Sequence, residues 1–392
     1  MRAEIDRRAM AVLSSGHLAT DFAGGALPAL IPFLRERFSL SYTLVGVLVL
    51  ASQASSSLIQ PLFGLWSDRR GAMWLLPAGI ALAGVGIALA ADAPSYWLVV
   101  LLVLASGIGS AAFHPEGSKF AGYVSGHRRA SGMSLFSIGG NLGYAIGPVV
   151  ATVLIHHFGL RGGLLLALPC LAVAAGTSAL TPYLRDFAPD RRAVAARSGE
   201  DDGRAMALLL GVVVCRTVPW FGLIAFVPLW EVHLGHSKAY GNRLLAVMLF
   251  AGGVGTLVMG QLADRVGRRV VLLGSIALAS PLMVLFLTVG GVPGAVALAV
   301  VGACVVGTYG VTMVMSQEYL PSRVGMASGL SIGFSVGLGG IAAVGVGRLA
   351  DLTSLRTALL ASAVTPLVGV VLAWLLPAPR ARRVLEPEVV VP

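Results

Sequence analysis

The chain has 392 residues, of which 56% are hydrophobic and only 12% are charged. About a quarter of the residues of a soluble domain are charged, so this composition excludes an ordinary soluble protein. The formal net charge of +10 is compatible with nucleic-acid binding. However, the basic residues form short clusters between apolar runs, which indicates membrane topology instead. We therefore expect a helical protein that spans the lipid bilayer and binds no nucleic acid.

Apolar stretches long enough to cross a bilayer, which takes roughly 20 residues, fill most of the chain. The first contains His17, Asp21 and Pro28 and is followed by no small-residue cleavage site, so it is interpreted as a retained span and not a signal peptide. The neutral run 270–317 must hold two helices, because Gly-Gly-Val-Pro-Gly at 290–294 interrupts it. The twelve predicted spans are 9–34, 43–66, 72–91, 95–119, 130–155, 161–183, 205–231, 242–263, 269–289, 295–318, 325–347 and 355–376.

The sequence contains no recognisable metal, redox or nucleotide-binding motif. Cys170, Cys215 and Cys304 lie inside apolar runs without the spacing of a metal or redox motif, so we expect packed thiols. The sequence contains no ATP-binding Walker loop and no soluble domain that could house an enzyme's chemistry. We therefore predict no enzymatic activity, no cofactor and no metal.

Two groups of six predicted helices are separated by the polar segment 184–204. A shift of 196 residues superimposes two similar loops, Gly64, Asp68, Arg69 and Gly71 on Gly260, Asp264, Arg265 and Gly267. A shift of 197 residues aligns the Ala-Ser-Gly segments at 130–132 and 327–329. Since a shared offset indicates an internal duplication, the predicted organisation is a six-helix half (1–183), a cytoplasmic linker (184–204), a second six-helix half (205–376) and a cytoplasmic tail (377–392).

Lysine and arginine residues are distributed unequally between the two sides of the predicted bundle. If the N-terminus is inside, twenty of the 28 lie in cytoplasmic segments, seven lie outside, and Arg216 lies within a span. Since positive charge accumulates on the cytoplasmic side, both termini are predicted to be cytoplasmic.

The repeated loop is complete in the second half, where it reads Gly260-Gln-Leu-Ala-Asp-Arg-Val-Gly-Arg-Arg269. It resembles the G-x-x-x-D-R-x-G-R-R loop of the major facilitator superfamily. The first copy lacks the final basic pair and has Ala72 and Met73 there. The resemblance implies that these loops stabilise one end state of a transport cycle. The implied gate residues are Gly64, Asp68, Arg69, Gly71, Gly260, Asp264, Arg265, Gly267, Arg268 and Arg269.

Three further segments are similar to the fosmidomycin-resistance branch of that superfamily: Gly-His-Leu-Ala-Thr-Asp at 16–21, Phe-His-Pro-Glu-Gly-Ser-Lys at 113–119 and Val-Gly-Met-Ala-Ser-Gly-Leu at 324–330. This resemblance implies an efflux transporter driven by the proton gradient, but it does not identify the substrate. Gly143, Gly147 and Pro148 in the fifth predicted helix also resemble the superfamily's antiporter motif, although Ala151 stands where a glycine is usual. Close helix packing is the default explanation of such small residues.

Ionisable residues inside membrane spans are costly and usually functional. Asp21 lies roughly 18 Å into the first span at 1.5 Å per residue, and His17 precedes it by one turn on the same face. His114 and Glu116 lie in the inner part of the fourth span. Imidazole titrates near neutral pH and burial makes a carboxylate easier to protonate, so these four are the predicted proton-coupling residues. For Glu116, a structural ion pair with Lys119 is an equal alternative.

Arg216, in the seventh predicted span, lies at nearly the repeat-equivalent depth of Asp21. Its permanent charge suits a phosphonate or carboxylate, so Arg216 and Asp21 are predicted to face a cavity from opposite halves. The alternative is an ion pair between them that only holds the helices together. Trp220, Asn141 and Gln53 complete the predicted substrate contacts, with packing of Trp220 and interhelical hydrogen bonds of the two amides as structural alternatives.

The predicted fold class is therefore an all-α polytopic membrane protein with twelve transmembrane helices in two pseudo-symmetric six-helix halves, working by alternating access. The predicted function is export of a small anionic or polar compound, drug-like or metabolic, in exchange for protons, by a monomer in the bacterial inner membrane. Protonation of Asp21 would weaken its attraction to Arg216 and shift the balance of inward and outward states. The alternatives are a proton symporter that imports an organic anion and a non-transporting membrane sensor or scaffold.

Overall fold

The computed structural model describes residues 4–70, 72–187 and 200–377. Gly71, most of the predicted linker and almost all of the predicted tail lie outside the described residues. Thirteen α-helices make up most of the described chain, and two 3-10 segments, Leu160–Leu166 and Pro321–Arg323, precede α7 and α12. The helices are α1 (Arg7–Phe38), α2 (Tyr42–Leu58), α3 (Gln60–Arg70), α4 (Leu75–Asp92), α5 (Tyr96–Val124), α6 (Arg129–Phe158), α7 (Ala167–Arg185), α8 (Gly203–His233), α9 (Lys238–Val266), α10 (Arg268–Val289), α11 (Gly291–Tyr319), α12 (Val324–Leu352) and α13 (Leu355–Trp374).

The thirteen helices form twelve spans, because α2 and α3 together make the second one. The single helix predicted over 43–66 is broken at Ile59, just before Pro61. Proline lacks an N–H group and its ring clashes with the preceding turn, which explains the break. Among the described residues, ten helical segments are long and apolar enough to cross a membrane by length and composition alone; α1 and α12 complete the twelve.

The predicted interruption near residue 290 is confirmed. Gly290 separates α10 from α11, and Gly291 begins α11. Their φ values are 64° and 57°, a region that glycine adopts without the steric cost of a side chain. Several helices extend beyond their predicted limits; α1, for example, continues to Phe38 and α5 to Val124. Hydropathy marks only the part of a helix that lies in lipid, so polar ends that continue into the headgroup region are missed.

The same helix pairs recur in the two halves, as expected for a duplication. In the first half α1 packs on α6, α2 on α5 and α4 on α7; in the second half α8 packs on α12, α9 on α11 and α10 on α13. Shifting the chain by about one half maps each pair onto its counterpart. The predicted fold class, with two six-helix halves, is confirmed.

Contact between the halves is made chiefly by α2 with α12 and by α6 with α9. Glycines allow the close approach, since a Cβ atom on Gly46 would lie 2.6 Å from the Ala343 carbonyl oxygen and one on Gly340 would lie 2.8 Å from the Leu50 Cα. All these positions lie toward the end of the bundle farther from the two chain termini, which we call the outer side. We call the opposite end the terminal side.

Polar contacts on the outer side connect the halves further. The Asp351 carboxylate at the end of α12 accepts hydrogen bonds from the Tyr42 N–H (2.8 Å), the Thr43 N–H (2.8 Å) and the Thr43 hydroxyl (2.6 Å) at the start of α2. Lys238 of α9 pairs with Glu36 of α1. A carboxylate is well placed at a helix N-terminus, where backbone N–H groups are unpaired. These contacts close the outer side.

On the terminal side, a cavity of about 610 Å³ is lined by α1 and α6. Its walls include Arg7 and Arg128 near the helix ends and continue to Leu18 and Gly139. The halves are therefore joined on the outer side, while the first half presents a cavity on the terminal side.

Replacing Asp351 with Ala is expected to favour opening of the outer side. The change removes three hydrogen bonds to one charged acceptor, so the ratio of open to closed molecules should rise by about tenfold. Spin labels on Trp97 and Val292, which are exposed at the outer ends of opposite halves, report the distance. Asp92→Ala is the matched control, because Asp92 pairs with Arg37 inside one half. An unchanged distance distribution in Asp351→Ala would contradict this role.

Candidate functional site

Three predicted proton-coupling residues meet in the middle of the first half. His17 Nε2 lies 3.2 Å from Asp21 Oδ2, and His114 Nε2 lies 3.2 Å from Asp21 Oδ1. His17 and Asp21 share a face of α1 because they are four residues apart, and α5 supplies His114. Their side chains are 12%, 24% and 25% exposed. We call these three residues the His–Asp–His cluster.

The second nitrogen of each histidine is also fixed. His17 Nδ1 lies 2.8 Å from the Phe136 carbonyl oxygen of α6, and His114 Nδ1 lies 2.8 Å from the Ser110 carbonyl oxygen of α5. The His17 ring also stacks on the Phe136 ring, with centroids 4.2 Å apart. Partners of this kind hold an imidazole in one orientation. The cluster is therefore preorganised, with both Nε2 atoms directed at Asp21.

The same three groups are also arranged so that they could hold a metal ion. One ligand atom from each lies within 4.8 Å of the others, and two imidazoles with one carboxylate are a donor set that suits several divalent metals. Their ligand atoms are thus close enough together to contact a single cation. The sequence prediction of a proton site without a metal stays a prediction.

Gly140 of α6 provides the space that the cluster occupies. A Cβ atom there would lie too close to His17 Nε2 and 2.6 Å from Asp21 Oδ2, which is closer than real Cβ contacts. A side chain at residue 140 would therefore displace at least one member of the cluster.

Gly140→Ala is expected to lower proton-linked transport by about tenfold or more, because a displaced carboxylate loses its charge-assisted contacts. Proton flux in vesicles measures this effect, and protein recovered from the membrane measures folding. Gly122→Ala is the matched control, since a Cβ atom there meets nothing within 4 Å. Wild-type flux in Gly140→Ala would show that the cluster tolerates displacement and does not carry the coupling.

Glu116, the fourth predicted proton-coupling residue, does not join the cluster, and its role in coupling stays a prediction. Its carboxylate is 1% exposed and lies 2.8 Å from Lys119 Nζ. It also accepts a hydrogen bond from the Ser67 hydroxyl of α3. Glu116 therefore forms, within α5, the ion pair that was the structural alternative, and its hydrogen bond from Ser67 attaches α5 to α3.

Arg216 is a buried cation of the second half, with 2% exposure. Its Nη1 donates to the Thr308 hydroxyl at 2.9 Å, and its Cζ lies 4.2 Å from the centroid of the Tyr309 ring. Nε and Nη2 have no hydrogen-bond partner among the described residues. These two atoms form one edge of the guanidinium, the edge that binds planar oxyanions in a bidentate manner. An unpaired buried charge is costly, and the free edge is of the kind that suits an anion.

Asp21 and Arg216 do not form the ion pair that was the structural alternative. The ion partners of Asp21 in the described chain are the two histidines, and Arg216 contacts Thr308 and Tyr309 of α11 instead. Each charge has a tyrosine in its neighbourhood, Tyr309 for Arg216 and Tyr144 for Asp21. Tyr144 of α6 is within electrostatic reach of both Asp21 and Tyr309, and Gln53 of α2 interacts with its hydroxyl.

Tyr144 and Tyr309 were not predicted as site residues. Both are half-buried and place a phenol near the middle of a span. The sequence does show a tyrosine inside an apolar helix at each of these positions. A buried tyrosine hydroxyl usually needs a hydrogen-bond partner, so both residues could have been included among the candidates.

The other predicted substrate residues divide into two groups. Trp220 is 5% exposed and belongs to the apolar core, in agreement with its packing alternative. Asn141 lies against Gly253 of α9, and Gln53 lies against Gly340 of α12. Both amides are therefore at the interface between the halves, where a substrate cavity would form.

The glycines of the antiporter-like segment pack α6 against α1. A Cβ atom on Gly143 would collide with the Leu18 carbonyl oxygen, and one on Gly147 would lie 2.5 Å from the Phe22 carbonyl oxygen. Pro148 is buried beside them. This contact agrees with the packing explanation, and a role in antiport stays a prediction.

The two predicted gate loops differ in what can be described. Gly64 lies in α3, while Gly71 and the side chains of Asp68 and Arg69 lie outside the described residues. In the second copy, Gly260, Asp264 and Arg265 lie in the last turns of α9, and Gly267 follows with φ 95°.

The final basic pair of the second loop makes contacts inside its own half. Arg268 pairs with Glu318 of α11, and Arg269 donates to the carbonyl oxygens of Ala373 and Trp374 at the end of α13. A positive charge at a helix C-terminus is favourable. The pair therefore fixes the start of α10 to two neighbouring helices.

Comparison with known proteins gives a consistent picture. The sequence matches the profile of the Major Facilitator Superfamily over residues 13–241 and 209–390. It is 30% identical over 94% of its length to the uncharacterized MFS-type transporter YfnC of Bacillus subtilis, and 30% identical over 93% of its length to the fosmidomycin resistance protein of Escherichia coli, covering 92% of each relative.

The fold is also similar to a solved transporter structure. A bacterial homolog of the human lysosomal transporter Spinster, in an inward-facing and unoccupied conformation, has a TM-score of 0.74 at 14% identity, with 94% of this chain and 96% of that chain covered. The predicted family and the prediction that the chain is not an enzyme are confirmed. The chain belongs to the Major Facilitator Superfamily and is a membrane transporter.

Proposed function

We propose that the protein exports a small anionic or polar compound, drug-like or metabolic, in exchange for protons. It does so by alternating access as a monomer in the bacterial inner membrane, with both termini in the cytoplasm. The observation that carries this proposal is the His–Asp–His cluster, in which three titratable groups contact one another inside the membrane-spanning bundle. Such groups are expensive there and are typical of proton relays.

Loss or gain of protons changes the contacts that hold α1, α5 and α6 together. Protonated histidines are attracted to the Asp21 carboxylate, and Gly140 of α6 fits closely against that pair. Because α6 also packs against α9 of the second half, a change in the cluster alters the contact between the halves. Protons therefore favour one arrangement of the bundle over the other.

Coupling to the substrate does not need direct attraction between Asp21 and Arg216. Tyr309 contacts Arg216, and Tyr144 is within electrostatic reach of both Asp21 and Tyr309. Gln53 interacts with the Tyr144 hydroxyl. An anion on the free edge of Arg216 would lie next to Tyr309 and change the field that Tyr144 and the cluster experience. This revised mechanism replaces the direct Asp21–Arg216 attraction.

Similarity to the fosmidomycin resistance protein supports export and supplies the first compound to try. We therefore use fosmidomycin, which carries a negative charge suited to the free edge of Arg216. Similarity alone does not determine the direction of transport. The experiment must therefore measure whether protons move with the substrate or against it.

The test uses proteoliposomes that contain the wild-type protein and the pH reporter pyranine. Fosmidomycin is added outside, and protein-free liposomes serve as the control. Antiport exports a proton for substrate that enters, so the interior becomes alkaline whichever way the protein is inserted. An acidic interior would indicate the symport alternative. Substrate entry at constant internal pH would contradict proton coupling altogether.

A further inference from the structure

We propose that the His–Asp–His cluster is a binding site for a divalent transition-metal ion such as Zn²⁺, and that the bound ion inhibits transport. Binding of the ion stands on the geometry of the three side chains alone. Inhibition rests in addition on the proposed function, because the ion occupies the atoms that are assigned there to protons. The inference goes against the sequence-based expectation of a chain without a metal.

The spacing of the ligand atoms fits a single ion. When metal–ligand bonds are about 2.0–2.2 Å long, neighbouring ligand atoms lie roughly 3–3.5 Å apart. His17 Nε2 lies 3.2 Å from Asp21 Oδ2, and His114 Nε2 lies 3.2 Å from Asp21 Oδ1. The two oxygens belong to one carboxylate, so an ion between the histidines can contact one oxygen or both.

The two imidazole rings are also placed at a suitable angle. Their centroids are 5.2 Å apart and their planes are inclined by 87°. An ion bound to both Nε2 atoms at about 2.0–2.1 Å lies about 3.2 Å from each ring centroid, so the observed separation corresponds to a nitrogen–metal–nitrogen angle of about 110°. This value is close to the tetrahedral angle that zinc sites adopt.

The second nitrogen of each ring is held as in established metal sites. His17 Nδ1 lies 2.8 Å from the Phe136 carbonyl oxygen, and His114 Nδ1 lies 2.8 Å from the Ser110 carbonyl oxygen. A metal-bound histidine almost always donates its other N–H to a group of this kind, which orients the ring. The Ser110 hydroxyl, 3.1 Å from His114 Nδ1, is a further partner, so this ring is oriented in either tautomer.

The cluster leaves room for the ion and for a further ligand. All three side chains are partly exposed, and Gly140 places no side chain beside His17 Nε2 and Asp21 Oδ2. A divalent ion on two neutral imidazoles and one carboxylate gives a net charge of +1. Three protein ligands leave one coordination position that water can fill, as in catalytic zinc sites.

The donor atoms predict which ions bind and what binding does. Imidazole suits zinc, copper, iron and nickel, whereas Mg²⁺ and Ca²⁺ prefer sites made of oxygen atoms. Zn²⁺ should therefore bind at concentrations at which Mg²⁺ does not. The bound ion connects α1 to α5 and occupies the Nε2 atoms and the carboxylate, so protons can no longer exchange there.

Calorimetric titration of the purified full-length protein with Zn²⁺ tests binding without a substrate. His156→Asn serves as the background, because His156 and His157 form a separate pair at the end of α6. We expect one tight site per chain. Adding His114→Asn should weaken it by about 100-fold or more, since loss of a group that only orients a ligand already costs about 10- to 100-fold. Adding His127→Asn, at an exposed position outside the cluster, should leave it unchanged.

Equal affinity with and without His114, or equal binding of Mg²⁺, would overturn the metal site. X-ray absorption of the Zn²⁺-loaded background protein keeps the test independent of the folding of the His114 variant. It should show two imidazole nitrogens and at least one oxygen bound at about 2.0–2.1 Å. One imidazole ligand, or none, would overturn the inference.

Proteoliposomes test inhibition. With free Zn²⁺ held by a metal buffer at about ten times its Kd on both sides, proton-linked fosmidomycin transport should fall by about tenfold, and a chelator should restore it. Mg²⁺ is the control. Unchanged transport with Zn²⁺ bound at the cluster would overturn the inhibition and contradict the role of the cluster in the proposed function. Proton-linked transport by a protein that binds no Zn²⁺ would overturn the metal site and leave the proposed function intact.

Discussion

Arg216→Met is expected to abolish transport of anionic substrates and at the same time to stabilise the protein. The guanidinium is 2% exposed, and its Nε and Nη2 are unpaired in the described chain. Replacing a buried, incompletely paired charge with an apolar side chain of similar length often stabilises a protein by about 1 kcal/mol or more. A residue that costs stability and is nevertheless present is best explained by a function.

Three variants separate charge, geometry and folding. Arg216→Met should show a higher Tm and no fosmidomycin flux. Arg216→Lys keeps the charge but loses the planar edge, so fosmidomycin affinity should fall by about tenfold or more. Arg348→Met, at an exposed position of α12, should leave flux unchanged. Normal fosmidomycin flux in folded Arg216→Met would show that this arginine does not bind the anion.

Asp21→Asn is expected to separate substrate movement from proton movement. Asparagine has nearly the same size as aspartate but cannot ionise, so it cannot bind and release a proton between the two imidazoles. Gradient-driven transport should fall by at least about tenfold, the loss expected when a charge-assisted contact is removed. Exchange of labelled for unlabelled fosmidomycin needs no net proton movement and should continue.

The exchange assay distinguishes uncoupling from misfolding. A misfolded variant loses both activities, whereas an uncoupled one loses only the gradient-driven activity. Asp92→Asn is the matched control, because Asp92 pairs with Arg37 and Arg161 on the outer side and should keep both activities. Undiminished gradient-driven transport in Asp21→Asn would remove Asp21 from the coupling mechanism.

The number of spans and the duplication could be predicted because they depend on properties local in the chain. A bilayer demands a fixed length of apolar helix, and the offset of the repeated loops is visible without a structure. The proximity of His17 and Asp21 also follows from sequence, since four residues complete about one helical turn. The break at Ile59 was missed, although Pro61 is a recognised cause of helix interruption.

The position of His114 opposite Asp21 could not be derived from the sequence, because it depends on how α5 packs against α1. Its separation from Glu116 could have been predicted, since two residues turn an α-helix by about 200° and place their side chains on different faces.

The expectation that Asp21 and Arg216 face one cavity from opposite halves had a similar origin. The repeat offset gives the depth of a residue along the membrane normal, but it does not give the direction of its side chain around the helix axis. The Arg216 side chain is held by Thr308 and Tyr309 of α11. Tyr144 and Tyr309 were missed because the candidates inside the spans were chosen mainly by their charge, and a tyrosine side chain is neutral.

Proton-driven accumulation in sealed vesicles is the decisive observable for this transporter. Proteoliposomes with an acidic interior are given equal concentrations of labelled fosmidomycin on both sides, with the membrane voltage held at zero. If the His–Asp–His cluster exchanges protons for substrate, fosmidomycin accumulates inside, and a protonophore abolishes the accumulation. If labelled and unlabelled fosmidomycin exchange through the protein while the concentrations stay equal, transport is not coupled to protons and the proposed role of the cluster is wrong.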